Sequence, residues 1–212
     1  PWVFKNINLE IKKSDHVGFI GPTGSGKSTL IDILLGLLLP SEGSLVIDGI
    51  QIDETNRRLW QKNISHVPQV IVLSDNSVEE NIAFATHTSN INTKKVFKAA
   101  EKAQLSKLIE SWPDKYQTMI GENGVKISGG QRQRIGIARA LYNESKILFF
   151  DEATSALDNQ TEINFMKSLN DLDKDLTLLM IAHRLTTLKN CNKIIELDST
   201  DGLKETQYDK II

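Results

Sequence analysis

The sequence has little cysteine and no arrangement of residues typical of a bound zinc ion. Cys191 is the only cysteine among 212 residues, so the chain cannot close an internal disulfide. The four histidines lie far apart in sequence, and neither a CxxC nor an HExxH pattern occurs. These absences exclude a disulfide-stapled domain and argue against a zinc protein. We expect Cys191 to be a buried or half-buried thiol.

The sequence also lacks a long apolar run. The longest, over residues 31–39, is interrupted by Asp32 and Gly36, and it falls well short of the roughly 20 residues that a membrane-spanning helix needs. The first residues show no charged leader followed by an apolar core, so we expect them not to be a signal peptide. Because the chain starts at Pro1 and is already strand-like at Val3, we expect it to be a piece of a longer polypeptide.

Neither sign of charge dominates. The chain has 25 basic and 27 acidic residues and a net charge of −2, which gives no general electrostatic reason to bind nucleic acid or an anionic membrane. Apolar residues make up 40% and charged residues 25%, as in ordinary globular proteins, so collagen, coiled-coil and disordered chains are excluded. A chain of this length folds as one large domain or as one domain with an insertion.

Short apolar strands alternate with helices along the chain. Residues 17–20 are apolar and run directly into a glycine-rich turn, and residues 146–150 and 176–181 form two further apolar strands. This alternation predicts an α/β fold with a mainly parallel sheet.

Three other segments carry local signals. Residues 3–11 alternate imperfectly and predict half-exposed strands. Residues 28–39 are apolar nearly all round and predict a buried helix that ends at Pro40. Residues 43–52 predict a pair of strands joined by the tight turn Asp48-Gly49.

The middle of the chain, from about residue 76 to 142, is mostly helical by period. Ser77 and Glu80 form a capping box that opens a helix. One helical face is predicted further along, consisting of Val96, Ala99, Ala100 and Ala103. Because this block lies between two strands of the sheet, we expect a core of residues 1–70 and 145–212 with an inserted helical subdomain over about 71–144.

Residues 21–28 read GPTGSGKS and match the phosphate-binding P-loop pattern, with a strand before them and a helix after them. The glycines allow the backbone to curl around a phosphate, and the following helix presents its positive end to the same anion. Lys27 adds a cation and the Ser28 hydroxyl can ligate Mg²⁺. The predicted nucleotide-binding residues here are Gly21, Pro22, Thr23, Gly24, Ser25, Gly26, Lys27, Ser28 and Thr29.

Two carboxylates follow the strand over residues 146–150. Asp151 stands where a P-loop protein needs a carboxylate for its magnesium ion. Glu152, directly behind it, can accept a proton from an attacking water. A surface acid after a strand is the alternative for Glu152, and its position beside Asp151 favours the general base.

Residues 127–131, ISGGQ, form a second glycine-rich start of a helix. One nucleotide has no use for two phosphate cradles in one chain. The conflict disappears if two copies of the chain face each other. The P-loop of one copy, here called the lysine loop, would then meet residues 128–130 of the other copy, here called the Ser-Gly-Gly corner. An ordinary capped loop is the alternative.

These motifs together resemble the nucleotide-binding domain of ABC transporters. They are GPTGSGKST, the glutamine of VPQ, ISGGQ, ILFFDE, SALD and the histidine of IAHRL. They occur in the order of the family and cover nearly the whole chain. Residues 118–124 resemble a loop of exporter-type members. The resemblance implies a P-loop NTPase core with a mainly parallel sheet, an antiparallel β subdomain and an inserted α-helical subdomain.

The resemblance also implies roles for further residues. Gln69 would touch Mg²⁺ or the attacking water, so that Ser28, Gln69 and Asp151 form the metal site. Asp158 would bridge the dimer, and His183 would contact the γ-phosphate beside Glu152. The residues that would bind ATP held by the partner are Ser128, Gly129, Gly130 and Gln131.

The sequence departs from the family at a few positions. Ile127 stands where the family commonly has leucine at the start of the ISGGQ segment, and Ser14 stands where the family commonly has glycine. The aromatic residue that stacks on adenine in the family would precede Pro1, and we expect Trp2 to be a packing residue rather than its substitute.

The resemblance implies an ATPase that forms a homodimer, uses ATP and Mg²⁺, and drives a transmembrane domain of the same full-length chain at the cytoplasmic face of the cell membrane. We expect this chain itself to be soluble and to bind no nucleic acid. Export or flipping of a lipid, a lipid-linked saccharide, a peptide or a drug-like molecule is implied, and residues 68–84 resemble those of lipid-linked oligosaccharide flippases. The alternative is a soluble ATPase of the same family that acts in DNA repair or translation. The stretch between Gln69 and Ser128 is too short for the insertions of the repair proteins.

Overall fold

A computed structural model of the chain describes residues 2–154, 156–170, 176–181, 185–189, 191–198 and 202–208. The strands within these residues are β1 His16–Ile20, β2 Leu45–Ile47, β3 Ile50–Ile52, β4 Ile64–Val67, β5 Ile147–Asp151, β6 Thr177–Ile181, β7 Lys193–Asp198 and β8 Gly202–Thr206. The α-helices are α1 Lys27–Leu34, α2 Arg57–Gln61, α3 Val78–Ile82, α4 Thr93–Lys102, α5 Ser106–Glu110, α6 Gly129–Tyr142, α7 Asn159–Asn170 and α8 Leu185–Leu188.

The main sheet has six strands in the order β4-β5-β6-β1-β7-β8. β1 pairs in parallel with β6 and with β7, whereas β8 is antiparallel to β7. β2 and β3 form a separate antiparallel pair. Asp48 and Gly49 between them have φ values of 49° and 80°, as expected for the tight turn of a hairpin. The predicted fold class is confirmed.

The chain divides into two compact units. The first contains residues 1–65, 145–149 and 175–212. Its apolar core forms around β1, where Val17 and Phe19 are fully buried. The same core includes Phe149 of β5 and the buried side chains of Leu30 and Ile31 of α1. The predicted strands over residues 17–20, 146–150 and 176–181 correspond to β1, β5 and β6.

The second unit contains residues 66–144 and 150–174. Its helices pack through α6, which contacts both α3 and α4. All four residues of the predicted helical face are buried, namely Val96, Ala99, Ala100 and Ala103. The predicted capping box also forms, because the Ser77 Oγ accepts the N–H of Glu80 at 3.2 Å and the Glu80 carboxylate accepts the N–H of Ser77 at 3.1 Å.

The helix expected over residues 28–39 is shorter than predicted. α1 ends at Leu34, and Gly36 adopts a left-handed φ of 68°. The N–H of Leu37 bonds to the carbonyl of Asp32 and the N–H of Gly36 to that of Ile33, which is the glycine-dependent way of ending a helix. Gly36 therefore stops the helix before Pro40, and Leu37 is 53% exposed rather than buried.

The strands expected over residues 3–11 do not form. The structure has no strand over residues 2–15, and Asn6 has a φ of 54° that breaks an extended run. Phe4, Leu9 and Ile11 instead pack on the core of the first unit without joining the sheet. Burial of Leu9 and Ile11 accounts for part of the alternation, whereas Val3 is 53% exposed.

Among the described residues, no helix combines the length and the apolar character that crossing a membrane requires.

Candidate active site

The loop after β1 depends on glycine. Gly21, Gly24 and Gly26 have φ values of 145°, 83° and 90°, a region that side chains strain. At Gly26 space is lacking as well, because a Cβ atom there would lie 2.5 Å from the ring of Phe4. The loop is therefore restricted to glycine at the positions where its backbone curls.

Lys27 folds back on this loop. Its Nζ donates to the carbonyls of Gly21 and Pro22, both at 2.7 Å. The hydroxyl of Ser25, which is 3% exposed, has no hydrogen-bond partner in the part of the chain that the structure describes. α1 begins at Lys27 and has no side-chain cap. Its first turn, which includes Ser28 and Thr29, thus retains the partial positive charge that attracts phosphate.

In the second unit, the structure brings Gln69 and Glu152 together. The Gln69 Nε2 donates to the Glu152 Oε2 at 2.8 Å. Glu152 directly follows Asp151, the last residue of β5, and has a φ of 50°. A glutamate in the left-handed region is uncommon and is typical of functional sites. The predicted base and the predicted glutamine therefore form one polar pair.

The ISGGQ segment also lies at the start of a helix. Ser128 and Gln131 form a capping box at the start of α6. The N–H of Ser128 donates to Gln131 Oε1 at 2.9 Å, and the N–H of Gln131 donates to Ser128 Oγ at 3.2 Å. A Cβ atom on Gly129 would meet nothing within 4 Å, whereas one on Gly130 would lie 3.0 Å from the carbonyl oxygen of Ala156. A side chain at Gly129 would thus meet no neighbour, whereas Gly130 allows a close approach of Ala156.

Asp158 stands directly before α7. Its carboxylate accepts the hydroxyl of Thr161 at 2.6 Å and the N–H of Thr161 at 2.9 Å. These two bonds lower the pKa of Asp158. The local role of Asp158 is thus to cap α7, and its contact with a partner remains a prediction. His183 lies outside the described residues.

The oxygens of Ser28, Gln69 and Asp151 are the hard donors that Mg²⁺ prefers. The hydrogen bond to Glu152 uses the amide nitrogen of Gln69. Its amide oxygen has no hydrogen bond within the described ranges, so it is available to a cation. Each of the three groups is therefore chemically suited to magnesium.

Sequence reasoning did not single out two polar residues of α6. Gln133 is 4% exposed and contacts the loop after Glu152. Arg139 donates to carbonyls of the segment after Gln69. Polar side chains on the apolar face of a helix were the available signal for both.

Trp2 also differs from expectation, since it is 52% exposed and lies under the Nζ of Lys5 rather than in a core.

A strand that runs into a lysine-bearing glycine loop, in a chain that also places Asp151 and Glu152 at the end of another strand, is typical of a P-loop nucleoside triphosphatase. The profile of the ABC transporter family matches residues 4–155. The leukotoxin translocation ATP-binding protein LktB of a Pasteurella haemolytica-like species is 39% identical over 212 residues, which are 100% of this chain and 30% of that protein. The ATP-dependent lipid A-core flippase of Ralstonia nicotianae is 40% identical over 194 residues, 91% of this chain and 33% of that protein.

A solved structure of a bacterial Atm1-family ABC exporter with ATP bound superposes with a TM-score of 0.91. It is 32% identical and covers 99% of this chain and 36% of that chain. The chain belongs to the ABC transporter family and is similar to the ATP-binding domains of its exporter-type members. It spans about a third of the length of the relatives that it matches.

Proposed function

We propose that two copies of this chain bind two ATP molecules between them, and that hydrolysis releases the pair. The observation that carries the proposal is the second helix start. α6 opens at Gly129, where even a Cβ atom would meet nothing within 4 Å, in a chain whose lysine loop already supplies one phosphate site. Two such sites in one domain are used fully only when a nucleotide is shared between two copies.

Each proposed role follows from the chemistry of the side chain. Glu152 accepts a proton from the attacking water, and the amide of Gln69 holds the carboxylate in position through its 2.8 Å bond. Lys27 exchanges the carbonyls of Gly21 and Pro22 for the phosphate oxygens of ATP. Ser28, Gln69 and Asp151 hold Mg²⁺, which neutralises phosphate charge. His183 contacts the γ-phosphate.

Closure that requires ATP, and opening that follows hydrolysis, can drive a second domain. We propose that this domain is a transmembrane part of the same polypeptide at the cytoplasmic face of the membrane. The second unit exposes several large apolar side chains to it, here together called the apolar surface: Val70 (73% exposed), Val125 (76% exposed), Val72, Phe84 and Met119. Residues 76–78 and 118–120 are joined by backbone hydrogen bonds, so this surface draws on both segments. The names of the relatives, which refer to a toxin and to lipid A, support export or flipping as the work done.

The test uses Glu152→Gln with Lys27→Ala as the matched control. Light scattering should show Glu152→Gln as a dimer in ATP and Mg²⁺ and as a monomer without them, with hydrolysis lost. Lys27→Ala should remain a monomer and bind ATP at least about ten-fold more weakly, because it removes the cation at the phosphates. Undiminished hydrolysis by Glu152→Gln, or a monomer at saturating ATP, would contradict the proposal.

A further inference from the structure

Gln133 connects the helix that starts at the Ser-Gly-Gly corner with the loop that carries Glu152. It lies one turn into α6 and is 4% exposed. Its Nε2 donates to the backbone carbonyl of Glu152 at 3.3 Å, and its Oε1 accepts the N–H of Ala156 at 3.0 Å. A single buried amide thus holds the backbone of both Glu152 and Ala156.

The backbone of Glu152 needs such support. Its φ of 50° lies in the left-handed region, which a glutamate occupies only when its surroundings determine it. Gln69 holds the carboxylate of Glu152 and Gln133 holds its carbonyl group. The side chain and the main chain of the proposed base are therefore fixed by two different glutamines.

An amide is suited to this position. It is neutral, and it donates and accepts at the same time, as the carbonyl of Glu152 and the N–H of Ala156 require. A carboxylate could accept from Ala156 but could not donate to Glu152. An apolar side chain would leave both backbone groups without this partner.

The same helix makes a second contact with the loop. Gly130 lies so close to the carbonyl oxygen of Ala156 that a Cβ atom there would be 3.0 Å from it. Gly130 belongs to the corner that is proposed to meet the nucleotide of the partner. A displacement of the start of α6 would thus act on Ala156 through Gly130, and on Glu152 and Ala156 through Gln133.

We propose that Gln133 is a positioning residue for hydrolysis, which holds the carboxylate of Glu152 in its reactive place by fixing the backbone beneath it. This inference rests on the proposed function of Glu152. It links the corner that contacts the partner's ATP with the base of the same chain.

Steady-state ATP hydrolysis of Gln133→Leu and Gln133→Glu tests the proposal. Both should lower kcat by about ten- to a hundred-fold, with KM for ATP changed less than about two-fold, because a base displaced by a fraction of an ångström loses rate rather than binding. Tyr142→Phe is the matched control, since it removes another hydrogen bond of α6, the one from the N–H of Asn92. It should leave kcat unchanged.

A purely structural role is separated by repeating the substitution in the Glu152→Gln background. A residue that acts through Glu152 should not lower the residual rate further, so the two effects should not add. An equal fall in both backgrounds, or an unchanged kcat in Gln133→Leu, would overturn the inference. If Gln133→Leu does not unfold cooperatively on heating, Gln133→Met, which fills a similar space, takes its place in the experiment. Loss of folding in both variants would also overturn the inference.

The two proposals fail in different ways. If Glu152→Gln retains hydrolysis, the proposed base is wrong whatever Gln133 does. If Glu152→Gln is inactive while Gln133→Leu turns over normally, only the inference about Gln133 is wrong.

Discussion

Arg139 holds Asn81 through both its backbone and its side chain. The Nε of Arg139 donates to the carbonyl of Asn81 at 3.0 Å, and one terminal nitrogen lies 3.3 Å from the amide oxygen of Asn81. The other terminal nitrogen donates to the carbonyl of Val72 at 3.0 Å, and the guanidinium lies 4.2 Å from the centre of the Phe84 ring. The segment that carries the apolar surface is thereby anchored on α6.

Arg139→Met should destabilise the chain. It leaves three acceptors without their charged donor, which we expect to lower the free energy of unfolding by about 2–4 kcal/mol. Urea denaturation followed by circular dichroism measures the change. Arg58→Met, at an exposed arginine, is the control and should alter stability by less than about 0.5 kcal/mol. Equal stability of the two variants would contradict the anchoring role of Arg139.

Gly136→Ala should also be destabilising, although alanine favours helices. A Cβ atom at Gly136 would lie 2.4 Å from Cδ1 and 2.8 Å from Cγ1 of Ile71, which is itself buried. Overpacking of this kind costs about 1–3 kcal/mol, more than the roughly 1 kcal/mol that alanine gains in a helix. Gly129→Ala on the same helix meets open space and should not lower the unfolding free energy. A rise in the melting temperature of Gly136→Ala would show that the Ile71 contact is looser than described.

Acid should weaken the start of α3. The bonds from the N–H and the hydroxyl of Ser77 hold the pKa of Glu80 below its ordinary value of 4.5. Because the folded pKa is the lower one, this stabilisation is complete above the unfolded pKa and is lost as the pH falls through the folded value.

Urea unfolding of the parent chain and of Glu80→Gln at several pH values measures this loss. The parent should be the more stable at neutral pH, and the difference should shrink below about pH 4. In a Ser77→Ala background, which removes the hydroxyl donor but keeps the backbone N–H, the dependence on pH should become smaller without disappearing. A difference that stays constant down to pH 2 would count against this origin.

Cys191 should react slowly with thiol reagents in the folded chain. Burial raises the pKa of its thiol to about 12, so the reactive thiolate is scarce near neutral pH. A colorimetric disulfide reagent at pH 8 should label Cys191 rapidly only in denaturant. Rapid labelling of the folded chain, with no effect of denaturant, would contradict the burial of Cys191, which the sequence also predicts.

Much of the phosphate loop and the capping box of α3 were predicted from the sequence, whereas the capping box of α6 was not recognised there. The bonds of Ser77 with Glu80 and of Ser128 with Gln131 join residues three positions apart, so local spacing determines them. The glycines around Lys27 are required by the backbone of the loop itself. The end of α1 was predicted wrongly because Gly36 and Pro40 both stop helices, and the sequence does not state which acts first.

The contacts that assemble the candidate site were decided by the tertiary structure. Gln69 and Glu152 are 83 positions apart, and Arg139 lies 58 positions from Asn81. Residues 3–11 show the same limit, because whether an alternating segment pairs with a sheet depends on the neighbour that packing provides. The sequence alone determined which chemical groups this protein carries, since local hydrogen bonds and backbone angles depend on adjacent residues. Only the folded chain determined which groups meet, because distant segments are brought into contact by the burial of apolar surface rather than by any local signal.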